Sequence, residues 1–303
     1  MRTGPIEVPK RLRVGMISAF GEPARTWCDQ LPELVRELCR RWSLTVTGSP
    51  RSGFASVVLP VDVYGQPPAM LKLTYPRGDD LEAEALAAWN GSGAVQLLDR
   101  DGQAQAKLLE RLSDRRLFDI ESAEAAVTVC GVLARELAMA TPPQAVPRLS
   151  DFAAGWVEEL PRLAREIGYA GPPRVVAAAV ATCRELGPDQ PDSLMHGDLY
   201  GRNVLASERA PWLAVDPQGL AGEVAFECLT SIRDRWTRLH QSSAPADQLR
   251  RQVQCFAEAA GADLDRTIAW TQARALLAAL RIGRTGQDDD YGLHQWVAEA
   301  LLD

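Results

Sequence analysis

One stretch past the middle of the chain constrains the fold more than any other. It reads MHGDLYGRNVLA over residues 195–206 and is followed by WLAVDPQG over residues 212–219. The short apolar runs VLA and WLAV predict two strands that pair as a hairpin. Such a ribbon would bring Asp198, Asn203 and Asp216 together, so any fold of this chain must make these three polar side chains converge.

The residue types in this stretch are suited to phosphoryl transfer. A carboxylate such as Asp198 can orient an attacking hydroxyl and accept its proton, while Asn203 and Asp216 offer oxygen ligands for Mg²⁺ beside nucleotide phosphates. We expect His196 to fix the loop by hydrogen bonding and not to transfer a proton. The alternative is an ordinary turn, because glycine, aspartate and asparagine are common turn residues.

The sequence changes character near residue 112. Before this point, runs rich in β-branched residues (SLTVTG, ASVVLPVDVYG, AMLKLTY) and two runs about a DG turn predict strands. After it, segments such as ESAEAAVTVCGVLARELAMA and DFAAGWVEELPRLAREIG predict amphipathic helices. The sequence therefore predicts an α+β chain, with a small antiparallel sheet and helices in residues 1–112 and a larger, mainly helical domain in residues 113–303.

Charge and cysteine content narrow the class of protein. The net charge of -7 argues against a nucleic-acid binder and is compatible with a cationic small molecule as substrate. The six cysteines form no CxxC pair, which argues against a zinc site or a disulfide framework. We expect a cytoplasmic protein with reduced thiols, since neither a signal peptide nor a membrane span is evident.

The chain resembles the aminoglycoside phosphotransferases, which share the bilobal fold of protein kinases. Within them it is most similar to the streptomycin 6-phosphotransferase and hydroxyurea kinase group. The matching segments are RSGFASVVLPV, PAMLKLTYP, EALAAWNGSGAVQLLD, KLLERL, MHGDLYGRNVLA, APWLAVDPQGLAGEVAFE and WVAEALL, and the resemblance covers about residues 30–303. The HGD and DPQG blocks mark the whole kinase-like superfamily, whereas AWNGSGAVQLL and PWLAVDP point to this group.

The resemblance implies roles for individual residues. Asp198 would be the catalytic base, and Asn203 and Asp216 would be the Mg²⁺ ligands. Lys72, which projects from an apolar strand, would bind the α- and β-phosphates of ATP.

The carboxylate partner of Lys72 would be one of two glutamates on the next helix, Glu82 or Glu84. We prefer Glu84, because it shares a helical stripe with Leu81 and Ala85 and would face the sheet. The alternative is that both glutamates are simply acidic residues that the helix dipole favours at a helix start.

Further residues are expected to contact the nucleotide. The turn GSPRSG over residues 48–53, with Ser52 and Gly53, would cover the phosphates. Backbone groups near Glu110 and Leu112, in the segment that joins the two domains, would hydrogen-bond the adenine.

Acidic residues are candidates for the acceptor side of the site. Glu227 would either bind a cationic acceptor or fix a helix start. Asp288, Asp289 and Asp290 would attract guanidinium or ammonium groups.

These features predict a kinase that uses ATP and Mg²⁺ to phosphorylate a hydroxyl of an aminoglycoside, with the 6-position of streptomycin as first choice and antibiotic resistance as its setting. The alternatives are a kinase for hydroxyurea or another small hydroxyl compound, and a nucleotide-binding regulator without catalytic activity. We expect a monomer or weak dimer that binds neither nucleic acid nor membranes.

Overall fold

The computed structural model describes residues 7–236, 239, 242–286 and 291–302. The chain divides into two compact units, one ending with Leu112 and the other containing the residues from Ser113 onward. One short segment departs from this simple division, because Ser92–Ala94 belongs to the second unit. The backbone of this segment is hydrogen-bonded to other residues of the second unit, since Ala214 donates its N–H to the carbonyl of Gly93 at 2.9 Å.

The first unit combines a six-stranded sheet with three helices. The helices are α1 (Lys10–Phe20), α2 (Glu22–Arg41) and α3 (Leu81–Trp89). The strands are β1 (Leu44–Val46), β2 (Arg51–Ser52), β3 (Ser56–Val63), β4 (Ala69–Thr74), β5 (Leu97–Asp101) and β6 (Ala106–Glu110).

The strands lie in the order β1-β3-β4-β6-β5, with β2 paired to β3, and all pairs are antiparallel. The predicted small antiparallel sheet is therefore confirmed, as is the strand pair about the DG turn. Alternating residues of β4 face opposite sides of the sheet. Leu71 and Leu73 lie in the core with α1 and α2, so Lys72 projects from the other face.

Helix α1 was not expected from the sequence. Only Leu12 and Met16 of its eleven residues are buried, and its charged and small residues show no long apolar stripe. Helix α2 has a strong stripe, and Trp27, Leu31, Val35 and Leu38 from it enter the core. Packing against α2 and the sheet, not intrinsic amphipathicity, accounts for α1.

The second unit is mainly helical, as predicted. Its helices are α4 (Ala123–Leu137), α5 (Leu149–Glu166), α6 (Pro173–Leu186), α7 (Cys228–Arg233), α8 (Pro245–Ala260), α9 (Leu264–Thr285) and α10 (Tyr291–Ala300). Helix α9 is central to the packing, because it contacts α5, α6, α8 and α10 and buries Trp270 completely. Helix α7 follows a 3₁₀ turn, Val224–Glu227.

Two short ribbons interrupt the helices of the second unit. Strands β8 (Val204–Leu205) and β9 (Leu213–Ala214) pair antiparallel, which confirms the predicted hairpin. The second ribbon pairs β7 (Leu194–Met195) with β10 (Leu220–Ala221) and was not predicted, since runs of two residues carry no strand pattern.

Among the described residues, no helix is both long enough and apolar enough to cross a membrane.

Candidate active site

The loop from β7 to β8 places Asp198 beside Asn203. The loop ends in a 3₁₀ turn, Gly201–Asn203, and the Asn203 Nδ2 donates to the Asp198 backbone oxygen at 3.1 Å and to its Oδ2 at 3.3 Å. Arg233, at the end of α7, donates from Nη2 to the other carboxylate oxygen, Oδ1, at 2.8 Å. The side chain of Asp198 is 19% exposed, so it remains accessible while held from two sides.

His196 ties this loop to the β9 end of the ribbon. Its Nε2 lies 2.9 Å from the Val215 carbonyl, and its Nδ1 accepts the Asp198 N–H at 3.2 Å. This pattern fits the tautomer with hydrogen on Nε2, since Nδ1 must be an acceptor. The buried ring therefore fixes the loop by hydrogen bonding, as expected from the sequence.

Gly197, which precedes Asp198, is held by a buried carboxylate and a partly buried guanidinium. Glu227 accepts the Gly197 N–H on Oε1 at 2.6 Å, and Arg274 of α9 donates to the Gly197 carbonyl at 3.0 Å. Burial lowers the pKa of the Arg274 guanidinium, and the carboxylates of Glu227 and Asp198 oppose that shift. Gly197 itself has φ of 84°, a left-handed conformation that favours glycine.

Asp216 lies at the same end of the ribbon as Asn203. In the β8–β9 register Val204 pairs with Ala214, and the next backbone bond runs from the Val215 N–H to the Asn203 carbonyl at 2.8 Å. Asp216 follows directly and has φ of 59°, which few residues other than glycine, asparagine and aspartate adopt. Its side chain is exposed.

Lys72 is a nearly buried cation on β4. It is 5% exposed, and its Nζ lies 2.6 Å from Oε1 of Glu82. Our preference for Glu84 as its partner was wrong, because Glu84 instead binds Arg100 at 2.7 Å.

The reason for this error lies in helix α3. Its buried residues are Ala83, Ala85, Leu86 and Trp89, so the stripe that faces the sheet begins at Glu82. The sequence LEAEALAAW has apolar residues all round the helix, and the stripe from Leu81 that we chose is not the one that faces the sheet.

The turn predicted to cover the phosphates, residues 48–53, contains β2. Ser52 is exposed, and the Gly53 N–H donates to the Ser56 carbonyl at 3.0 Å. A Cβ on Gly53 would lie 2.7 Å from the Ser56 hydroxyl, so a side chain there would displace its neighbour. The next residue, Phe54, packs edge-on against Phe20 of α1, with ring centroids 6.0 Å apart.

The predicted adenine-binding segment begins where β6 ends. Glu110 is the last residue of β6 and exchanges backbone and side-chain hydrogen bonds with Gln96, which donates its N–H to Glu110 Oε1 at 2.8 Å. Leu112 is the last residue of the first unit. The candidates Asp288, Asp289 and Asp290 lie outside the described residues.

Comparison with known proteins places this chain in a family. A family model described as aminoglycoside/hydroxyurea antibiotic resistance kinase matches residues 41–286. The chain belongs to this family.

Individual relatives of this kinase agree with the assignment. The chain is 37% identical over 277 residues to a streptomycin 6-kinase of Streptomyces glaucescens, covering 91% of this chain and 90% of the relative. It is 34% identical to a hydroxyurea phosphotransferase of Kitasatospora aureofaciens, covering 89% and 78%.

A solved structure shows the same fold. A spectinomycin phosphotransferase crystallised with ADP and spectinomycin is 11% identical, with a TM-score of 0.56 over 89% of this chain and 97% of that one. The kinase therefore has the expected α+β fold of the aminoglycoside phosphotransferases, with a sheet-bearing N-terminal part and a mainly helical C-terminal part.

The oxygen donors near Asp198 fit a hard cation such as Mg²⁺. The Nδ2 of Asn203 is used in hydrogen bonds to Asp198, which leaves its Oδ1 as the atom that can act as a ligand. The Asp216 carboxylate supplies a second candidate ligand, and carboxylate oxygens are among the ligands that Mg²⁺ prefers. The described part of the kinase contains no group of three His, Cys, Asp or Glu side chains that could hold a metal.

Several residues of the site were missed by sequence reasoning. Arg233 and Arg274 were not singled out, because arginines on amphipathic helices are usually solvated and only tertiary packing directs these two to the loop. Glu227 was left between two roles; it is 1% exposed and accepts the Gly197 N–H, so it holds the loop that carries Asp198. Lys107 of β6, fully buried and paired with Asp80, was also missed.

Proposed function

We propose that this kinase transfers the γ-phosphoryl group of ATP to the 6-hydroxyl of streptomycin. Support for the acceptor comes from the streptomycin 6-kinase that is 37% identical over 91% of the chain. Support for the chemistry comes from the residues of the Asp198 loop. The net charge of -7 favours a cationic acceptor of this kind.

The observation that carries the proposal is the environment of Asp198. Its carboxylate is partly exposed, and Asn203 and Arg233 each hold one of its two oxygens. A carboxylate oriented in this way can accept the proton of an acceptor hydroxyl as that oxygen attacks phosphorus. The new oxygen–phosphorus bond forms while the bond from the γ-phosphorus to the bridging oxygen breaks, and ADP leaves.

Other residues would bind the nucleotide. The Lys72 ammonium, oriented by Glu82, would contact the α- and β-phosphates, and the turn with Ser52 and Gly53 would cover them. Backbone groups near Glu110 and Leu112 would hydrogen-bond the adenine.

Asn203 and Asp216 would hold the Mg²⁺ ion. When bound, this ion supplies positive charge that offsets the charge of the phosphate oxygens. Asp216 keeps its left-handed backbone conformation at the turn that follows β9, so its side chain is directed by the fold of the loop.

The test is incubation of the purified kinase with ATP, Mg²⁺ and streptomycin. Mass spectrometry should show one phosphate added to streptomycin, and NMR of the product should place that phosphate on the 6-hydroxyl. The Asp198→Ala variant serves as the matched control for contaminating kinases. Transfer at another position, or no transfer, would contradict the proposed acceptor.

Hydroxyurea is the second candidate acceptor. The relative from Kitasatospora aureofaciens is 34% identical over 89% of this chain, which is close to the value for the streptomycin kinase. Comparing kcat/KM for streptomycin, hydroxyurea and other aminoglycosides separates these candidates. ATP binding without transfer to any of them would instead support a nucleotide-binding regulator.

We expect the kinase to act in the cytoplasm, where ATP is available, as a monomer or weak dimer. Light scattering of the purified chain tests the oligomeric state.

A further inference from the structure

Three cations form one row across the sheet of the first unit. In the antiparallel register Lys72 of β4 pairs with Lys107 of β6, and Lys107 pairs with Arg100 of β5. Residues directly opposite each other in such a ladder project from the same face, and like charges in that position are destabilising. This row therefore requires negative charge from another element.

The first turn of α3 and its cap supply that charge. Lys72 pairs with Glu82 and Arg100 with Glu84, at 2.6 and 2.7 Å. Lys107 lies between them and is 0% exposed, so its ammonium has no contact with solvent.

Lys107 contacts two carboxylates. Its Nζ lies 2.8 Å from both carboxylate oxygens of Asp80 and 3.3 Å from Oε2 of Glu82. A buried ammonium is tolerated only when it is paired and hydrogen-bonded, and these contacts satisfy that requirement.

Lys107 is connected to Lys72 through two carboxylates, Glu82 and Asp80. Glu82 bridges the two lysines, since Oε1 contacts Lys72 and Oε2 contacts Lys107. Asp80, held by Lys107, also caps α3 by accepting the Ala83 N–H at 3.2 Å, which fixes the helix turn that carries Glu82.

We propose that Lys107 is a positioning residue for Lys72, acting through Glu82 and Asp80. The proposal rests on the proposed function in one respect, that Lys72 binds nucleotide phosphates. With its second oxygen held by Lys107, Glu82 keeps its place when the Lys72 ammonium is shared between Glu82 and the phosphates. Lys107 contacts no substrate, because its ammonium is fully enclosed by protein.

The main test uses the double variant Lys107→Met/Asp80→Asn. Methionine keeps the unbranched shape of the lysine stem, and asparagine keeps an oxygen that can cap α3. One positive and one negative charge are removed together, so the cluster stays balanced while Glu82 loses its second anchor. We expect the KM and calorimetric Kd for ATP to rise about tenfold, the loss typical when a residue that orients a ligand-binding side chain is removed. The KM for streptomycin should stay within about twofold of its original value.

Arg100→Gln is the matched control. It removes another cation of the same row and another ion pair to the first turn of α3, but this pair is exposed. Its ATP affinity should change by less than about twofold, since exposed pairs contribute little.

Two results would overturn the proposal. One is a folded double variant that binds ATP like the original chain, which would mean that Lys107 only balances Asp80. The other is an equal loss of ATP affinity in Arg100→Gln, which would mean that any loosening of α3 suffices.

A measurement on the unaltered chain covers the case in which the double variant does not fold. When the phosphates draw the Lys72 ammonium from Oε1 of Glu82, the hydrogen bond of Lys107 to Oε2 should strengthen without Glu82 moving. The side-chain ¹⁵N resonance of Lys107, assigned through bonds, should therefore shift on saturation with ATP and Mg²⁺ although Lys107 is enclosed. An unchanged resonance would overturn the proposal.

The Lys72→Met variant separates this proposal from the proposed function. If Lys72→Met loses ATP affinity and the double variant does not, only the role of Lys107 is overturned. If the unaltered kinase binds ATP but does not phosphorylate streptomycin, the proposed function is overturned while the ATP measurements still test Lys107.

Discussion

The cluster around Lys72 and the loop around Asp198 hold their functional side chains by different means. Lys72 is nearly buried and pairs with Glu82, whose carboxylate is also paired with a second lysine, Lys107. Asp198 is partly exposed, and most of the bonds that shape its loop are made to backbone atoms by His196, Glu227 and Arg274. The first arrangement depends on paired charges on a sheet and a helix, and the second on buried polar groups that shape a loop.

This contrast has a consequence for how variants should behave. A change in the Lys72 cluster alters the position of a buried charge and should appear mainly in nucleotide affinity. A change of the Asp198 side chain leaves the loop intact and should appear mainly in turnover. The following predictions test that division, from the largest expected effect to the smallest.

Asp198→Ala should have the largest effect on catalysis. Loss of a positioned general base lowers kcat by about 10²–10⁴. The melting temperature should change little, because the side chain is partly exposed and its ion pair with Arg233 is 39% exposed on the arginine side. Steady-state kinetics and thermal denaturation measure both quantities. Asp192→Ala, which removes an exposed carboxylate paired with Arg148, is the control and should leave kcat unchanged.

Glu227→Ala should lower both stability and turnover. The variant leaves the buried Gly197 N–H without an acceptor and removes the negative charge near Arg274, at a cost of about 1–3 kcal/mol of unfolding free energy. Glu227→Gln keeps an oxygen that accepts the Gly197 N–H, so its losses of unfolding free energy and of kcat should be smaller than those of Glu227→Ala. Denaturant unfolding with parallel kcat measurements tests this order, and equal losses in both variants would show that charge, not hydrogen bonding, is the decisive property.

Glu82→Gln should weaken ATP binding while Glu84→Gln should not. Removing the charge of Glu82 breaks a nearly buried ion pair with Lys72, and we expect the KM for ATP to rise about tenfold with a smaller change in kcat. The pair of Glu84 with Arg100 is exposed, so its loss should change the KM for ATP by less than about twofold. The reverse order would restore our original preference for Glu84.

Gly53→Ala should have the smallest effect. The new Cβ meets the flexible Ser56 hydroxyl, which can rotate away at a cost of about 0.5 kcal/mol, so the KM for ATP should rise about twofold. Gly102→Ala, in the β5–β6 hairpin turn where a Cβ meets nothing, is the control. A large loss of ATP affinity in Gly53→Ala would mean that the turn tolerates no displacement.

The sequence was sufficient to predict parts of the fold that have local signals. The β8–β9 ribbon was predicted because its strands are apolar and flank a polar connection, and its register brings Asp216 to the end where Asn203 lies. Strand β4 and the direction of Lys72 were predicted for the same reason, since alternation along an apolar strand leaves one face for the lysine.

The parts that escaped prediction depend on tertiary packing. Helix α3 is apolar on all sides, so its sequence does not indicate whether Glu82 or Glu84 faces the sheet. A lysine in a strand, such as Lys107, usually marks an exposed edge, and only the register of β4, β6 and β5 shows that this one is central. Arg274 reaches the loop from a helix far along the chain, and no local pattern reports such a contact.

The edge-on contact between Phe20 and Phe54 has a practical consequence for trimming this protein. The family match begins at residue 41, so a minimal version cut at that boundary would discard both N-terminal helices together with Phe20. It would also uncover Leu59, Leu71 and Leu73 of β3 and β4, which lie in the same core and are completely enclosed in the intact chain. Forms shortened at the boundary of the family match should therefore aggregate. A truncation that keeps the core intact should stop ahead of α1.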